Sequence, residues 1–513
     1  MTYDAGVGAA PLESKDGTGS LQMIQWPLGE RGGDARRVTP SHYEELANLP
    51  FDHGYVRRQD APALLDELFF QRAVQTYLWA LPALNMYAMK EGAERAFGAG
   101  YQVLSVFKER VNANTLITTP NSDLIYAFGF LDLKRDGPIV IEVPAGMQGV
   151  LDDFWQRPIP AVGVIDGRRW RGEVGRSGPD RGKGGAYLIL PPDYVGRIPA
   201  GYYVYRSGTY GVFVFWRAYF ASANNLAEPV RLIERTRIYP LGTRPRGVQM
   251  EFPNASVVPA NMLYPQDGTA FGMLARFIDG EYADPADREM RGMAAAIGIA
   301  KGQPFLPDLR ASLLLDRAAR TATRIGHVIA YSPSTLSPAR RSYPDRQYVD
   351  AFPANATFSS ESINYLDART GFFTYAYSSS PAMPMNMETV GGIYPSVFTD
   401  ANGDFLSGDR EYGLHLPANI PAAKFWSVTV YDALTGSGLD NGQPFPSLNT
   451  MDHPLQNADG STDIYFGATP PGRGKNWLAT VPGKGWFAII RLYEPQRAFF
   501  DQSWMPDDIV RLD

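Results

Sequence analysis

The sequence predicts a mainly β protein with helical segments: two antiparallel, jelly-roll-like β-sandwich domains joined by a helical connector. Three observations carry this expectation. Short runs of alternating apolar and polar residues recur between turn dipeptides, as half-buried strands require. The chain holds 51 glycines and 41 prolines, the residues that many tight turns consume. A helical spacing of three and four surfaces near the start of the body and again in its middle, separating two strand-rich regions.

Residues 1–60 are polar and lack sustained periodicity, so they read as a partly ordered arm lying on this or a neighbouring subunit. Met1 to Ser20 has no apolar core of a signal peptide, and no uncharged apolar run approaches the roughly 18 residues of a membrane span. The chain as written is therefore expected in the cytoplasm, with export after removal of a leader as the alternative. In residues 61–241 a helix comes first, with Leu64, Leu65, Leu68, Phe69, Ala73, Tyr77 and Leu81 on one stripe up to about Phe97. Pro82 is expected to kink or divide it. Strands follow at Ile125 to Leu131, Ile139 to Val143, Ala186 to Leu190, Tyr202 to Tyr205 and Gly211 to Tyr219.

Residues 242–391 read as the helical connector and an aromatic loop region. Asp284 before Pro285 is an N-cap signal, Met290, Met293, Ala294 and Ile297 form an apolar stripe, and Asp308 caps a second helix through Ile325. Met383 to Met387, with Phe358, Tyr365, Phe372, Phe373 and Tyr377, forms either a ligand-facing wall or core packing. Residues 392–513 make the second sandwich. Ser396 to Thr399, Tyr412 to Leu416, Phe425 to Tyr431, Thr462 to Phe466 and Trp486 to Tyr493 alternate, separated by Asn402-Gly403, Pro417, Pro421 and Asp459-Gly460.

Composition narrows the function. With 513 residues, 44% hydrophobic, the chain is long enough for two domains and a large core. A net charge of −6 gives no basic footprint for nucleic acid. The absence of cysteine excludes disulfides, thiolate metal sites and a cysteine nucleophile. No HExxH, GxSxG or GxGxxG motif occurs, and the glycines of Gly178 to Lys183 are too close together for a phosphate loop. The histidines His42, His53, His327, His415 and His453 match no metal-ligand spacing. Asp400, Asn402, Asp404 and Glu411 fall at the spacing of a calcium loop, but Phe405 stands where that loop needs glycine, so the stretch reads as a hairpin turn. Neither a metal nor a cofactor is expected.

The run from Tyr394 through Phe425 to Asp432, then Asp459-Gly460-Ser461, Asn476-Trp477-Leu478, Arg491 to Pro495 and Trp504, resembles the C-terminal half of bacterial proteins that pair the domains of unknown function 1254 and 1214. Thr119 to Tyr126, Leu131-Asp132-Leu133, Gly137-Pro138 and Val143-Pro144 resemble the N-terminal domain of that family. The matching segments reach across most of residues 65–511. One departure is local: the family's Asp-Thr-Leu-Tyr is here Asp123-Leu124-Ile125-Tyr126, without the threonine hydroxyl.

The resemblance puts Asn121, Asp123 and Tyr126 in the N-terminal signature. Asp123 with Tyr126 is either an acid–base or polar-ligand pair, or a turn cap beside a core tyrosine. In the C-terminal half, Trp426, Tyr431 and Tyr493 can stack on a sugar or apolar ring. Arg491, inside an apolar strand, needs a carboxylate partner from the protein or from a ligand. Three functions are open: a metal-free hydrolase or lyase acting on a small or carbohydrate-like molecule, a carbohydrate or small-ligand binder, and a structural or envelope-associated protein. A homo-oligomer is expected from the polar arm. Asn121 to Tyr126 and Trp426 to Tyr431 are expected to meet at a crevice between the two sandwiches.

Overall fold

The computed structural model describes residues 41–220, 225–243, 247–332, 341–350, 357–376, 378, 380–382, 388 and 391–512. The chain is mainly β with helical segments, and its longest element is a 37-residue helix, Ala61–Phe97. Proline near its first turn and Gly98 beyond its end, at φ +101°, set its limits. From Ala73 onward the helix is buried on nearly every side, which is why its apolar residues form no clean stripe there. Helices Thr269–Gly280, Arg288–Ala295, Leu309–Tyr331 and Leu366–Tyr375 pack around it. Of the two expected effects of Pro82, division does not occur: the helix runs unbroken through it. An interior proline costs about 3 kcal/mol, and packing on all sides outweighs that. Close by, Asn85 Nδ2 donates to the Phe373 carbonyl at 2.9 Å.

The N-terminal unit is a pair of facing sheets. One runs in the order Ser105–Val106, Ile125–Asp132, Gly211–Ala218, Gln148–Asp153, Glu173–Gly175; the other is Tyr203–Arg206, Gly185–Leu190, Ile139–Val143, Arg237–Pro240. Side chains of alternate residues fill the space between them: Ile125, Ala127 and Leu131, Val212, Val214 and Trp216, Ile139 and Ile141, Tyr187 and Ile189. The C-terminal unit repeats the plan. Its larger sheet centres on Trp486–Pro495 and Ala422–Asp432, its smaller on Thr462–Gly467 and Tyr412–Leu416. Trp426, Val428, Val430, Ile490, Leu492, Leu414 and Phe466 make the core between them.

Pairing is not antiparallel throughout. Tyr203–Arg206 runs parallel to Gly185–Leu190, and Asn476–Ala479 parallel to Thr462–Gly467. Both are edge strands reached by proline- and glycine-containing loops long enough to return the chain to the same end, which a tight hairpin cannot do. The caps follow the sequence. Asp284 accepts from Ala286 N and Asp308 from Ala311 N. At Asp400 to Asp404 the chain makes a tight turn with Gly403 at φ +88°, and the Asp400 carboxylate accepts from the Asn402 and Asp404 backbone N–H groups.

Of the aromatic loop region, Phe358, Phe372 and Phe373 form a buried cluster, whereas Tyr377 and Met383 to Met387 lie outside the described residues.

The outer face of each larger sheet is also covered. Tyr126, Phe128 and Phe130, with Phe213 and Phe215, turn from the N-terminal unit toward the helices. Phe425, Tyr431, Phe487, Ile489 and Tyr493 do the same from the C-terminal unit, so helices and both sandwiches share one central core.

Candidate functional site

Within that core, two strands from different units present the same pattern. In one, Phe213, Phe215, Arg217 and Tyr219 succeed each other at every second residue; in the other, Phe487, Ile489, Arg491 and Tyr493 do. The period of two aims each set at a single face. The two arginines are thereby carried into an aromatic interior, and the Tyr219 and Tyr493 rings meet edge to face at 6.3 Å. Between the units lies a cavity of about 60 Å³. Phe107, Phe128, Phe213, Phe215 and Ile489 form its apolar side; Asn121, Tyr126, Tyr394, Ser378 and Arg491 form its polar side.

The signature segment closes one end. Asn121 Nδ2 donates to the Tyr126 hydroxyl at 2.8 Å and also to that of Tyr493, while its Oδ1 accepts from Asp123 N at 2.9 Å. The Tyr126 ring stacks on Phe215 at 5.2 Å, and burial holds its phenol well above the usual range. Thr119, at φ +42°, donates its N–H to the Gly436 carbonyl at 2.7 Å. The Tyr431 hydroxyl donates to the Pro120 carbonyl at 2.8 Å. The segment is therefore sewn to the C-terminal unit by backbone and side-chain bonds together.

Asp123 is fully buried but does not line the cavity. One oxygen accepts from Asn449 Nδ2 at 2.7 Å and Ser447 Oγ at 3.3 Å, with Arg110 Nη2 at 3.5 Å; the other has no hydrogen-bond partner. Arg110 is held in turn by Asp452 at 2.8 Å and by the face of Phe445. This cluster fastens the two units and sits behind the wall formed by Asn121.

Arg491 donates to Thr429 Oγ1 at 2.9 Å, to the Tyr431 hydroxyl and to the Thr119 carbonyl. The carboxylate partner it needs is absent among the described residues; Asp123 acts on it only at longer range. Arg217 is more exceptional. It is buried, it hydrogen-bonds Tyr394, and its Nε and Nη1 have no partner. Two guanidinium groups thus face an interior of tyrosine hydroxyls and aromatic rings, an arrangement that costs free energy unless an anion joins it.

Trp426 requires a correction. The sequence places it with Tyr431 at the crevice, but the two are five residues apart on one strand and so face opposite ways; Trp426 packs in the core of the C-terminal sandwich. Tyr431 and Tyr493 do face the inter-unit core, and their hydroxyls hold Arg491 and Asn121. The sequence reading passed over Arg217 and Tyr394. The signal for Arg217 was present, since an arginine in an aromatic strand is what drew attention to Arg491. It also passed over Asp152, on the same sheet face opposite Phe213, which is fully buried, accepts from Ser380 Oγ at 3.0 Å and is pushed up to about 8 by burial. His415 pairs with Asp463 at 2.7 Å away from this region. No group of three or more His, Cys, Asp or Glu among the described residues is arranged to hold a metal ion. No helix among them is long and apolar enough to cross a membrane.

Residues 102–240 match the family model described as protein of unknown function DUF1254, and residues 391–497 the one described as protein of unknown function DUF1214. Among solved structures the chain is similar to the VPA0106 protein from Vibrio parahaemolyticus, at 18% identity over 87% of this chain and 100% of that one, with a TM-score of 0.47. It is also similar to an uncharacterized protein from Burkholderia cenocepacia, at 13% identity over 86% of this chain and 94% of that one, with a TM-score of 0.37. No curated protein matches. The signature at Asn121 to Tyr126 falls in the first matched segment and Arg491 with Tyr493 in the second, so the chain carries a DUF1254 segment followed by a DUF1214 segment.

Proposed function

We propose that the protein binds a small organic acid in the cavity between its two sandwiches. The observation that carries this is a pair of buried guanidiniums: Arg491, on the cavity's lining and without a carboxylate partner among the described residues, and Arg217, just beyond the lining at Tyr394 with two unpartnered nitrogens. A planar guanidinium offers paired N–H groups that match a carboxylate, and tyrosine hydroxyls kept protonated by burial add neutral donors. The size of the ligand follows from the cavity. Since one water-sized group takes about 10–15 Å³ of such space, about 60 Å³ holds four to six of them. A carboxylate with two or three further carbons fits, its carbons against Phe128, Phe213 and Phe215.

Hydrolysis or lyase chemistry by Asp123 has less support, because that carboxylate lies behind Asn121 and faces Asn449 and Arg110. Thermal melting and calorimetry with acetate, propionate and butyrate against their amides test the binding reading. Acids at a hundred times their Kd are expected to stabilise the fold by about 2.7 kcal/mol, and the amides not to. Equal effects of acids and amides, or none from any acid, would overturn it. Homo-oligomer formation is part of the same proposal, with the exposed Phe51 and Tyr55 as contact residues. A monomer mass by light scattering at micromolar concentration would remove that part.

A further inference from the structure

A second, larger space lies among the helices, against the stretch of the long helix that carries Pro82. It measures about 1030 Å³, at the upper end of the roughly 300–1,000 Å³ of small-molecule sites. Leu78 and Trp79 of the long helix, Met290 and Met293, Ile325 and Phe373 form its apolar walls. Methionines adapt to chains of varied shape, since they are unbranched and polarizable.

The polar groups on its lining are unevenly matched. Arg157 is answered by Asp287, whose two oxygens lie at 2.9 and 3.0 Å, with Asp284 at 3.9 Å. Arg369 is not. Its Nη2 donates to the Trp79 carbonyl at 3.3 Å, its Nε has no partner, and no acidic side chain among the described residues forms an ion pair with it. Asp367, two residues earlier on the same helix, also lines the cleft but does not pair with it. Burial, with Arg157 nearby, lowers the Arg369 guanidinium to about 10, against a smaller opposing pull from the Asp287 carboxylate.

We infer that this helical cleft is a second binding site, for an amphiphile with an anionic head at Arg369 and an acyl chain along the Met290, Met293 and Ile325 wall. The head is a carboxylate or a phosphate, as in a free fatty acid or a phosphate-headed lipid. The site is independent of the inter-sandwich cavity, which is too small for a long chain.

The test is calorimetric titration of the full chain with dodecanoate, dodecyl phosphate, dodecylamine and dodecanol below their micelle concentrations. Either anion is expected to bind, and which of the two binds more tightly identifies the head. The Arg369→Met protein is expected to bind dodecanoate at least tenfold more weakly and Arg369→Lys to keep most of the affinity. Met293→Trp, which fills the cleft from a half-buried position, should remove binding, and Arg217→Met should leave it unchanged. If dodecylamine or dodecanol binds as tightly as dodecanoate, the head-group assignment is wrong. If Met293→Trp binds dodecanoate at wild-type affinity the cleft is not the site, a result that stands whether or not the Arg369 variants fold.

Discussion

Replacing Arg217 by methionine separates a binding residue from a structural one, because the two roles predict changes in stability that do not overlap. A buried arginine that holds a protein carboxylate leaves an unpaired charge behind when removed, at a cost of about 3–5 kcal/mol. Among the described residues Arg217 has no such carboxylate. Its two unpartnered nitrogens each cost about 1–3 kcal/mol in the folded chain, and its bond to Tyr394 returns about 1.5–3 kcal/mol. The ligand-free Arg217→Met protein is therefore expected to lie between about 1 kcal/mol less and about 4.5 kcal/mol more stable than the wild type. Urea unfolding and thermal melting read this directly, at about 2–4 °C per kcal/mol for a unit of 150–250 residues. Butyrate binding should meanwhile weaken by about a hundredfold, since two charge-assisted bonds are worth about 3 kcal/mol or more. A loss of stability above about 3 kcal/mol, or unchanged butyrate affinity, would refute the assignment.

The remaining predictions concern other parts of the interior. Asp152 and Glu281 are raised by burial to about 8 and about 7, so the folded chain keeps protons that unfolded carboxyls, at about 4, have released. Their contribution to stability is full below about pH 4 and is lost as pH rises to about 8; urea midpoints should fall from pH 5 to 9, and Asp152→Asn should flatten that fall. A midpoint that rises over this range would contradict the burial argument. Asp123→Asn is expected to destabilise by about 1–3 kcal/mol through its contacts with Arg110 and Asn449, while butyrate affinity stays within a few fold. The reverse outcome, lost binding at full stability, would return Asp123 to the site. Gly149→Ala places a methyl 2.0 Å from Cε3 of the buried Trp216, so a loss of about 1–3 kcal/mol is expected in chemical denaturation. No change there would mean that the indole has room to move.

The amino-acid sequence determined the local elements and the pairing of two domains. Ile139–Val143 and Tyr412–Leu416 form strands at the limits their alternation marks, Asp308 caps the helix it precedes, and Asp284 caps the short 3-10 turn that leads into Arg288–Ala295. These outcomes depend on period, turn chemistry and capping, which act within a few residues. Gln148–Asp153 escaped, because Gly149 and two aspartates give no strand signal; its partner strand Gly211–Ala218 supplies the pairing that makes it one. Which face of a strand meets which neighbour was decided only by the tertiary structure. Period two says that Trp426 and Tyr431 oppose each other, yet not which of them lies in the sandwich and which looks toward Arg491. That choice is fixed when the larger sheets of both units are covered by the same helices, bringing Arg217 and Arg491 into one interior from positions far apart in the chain. No local rule links those two residues, because what relates them is the burial of two aromatic sheet faces at once.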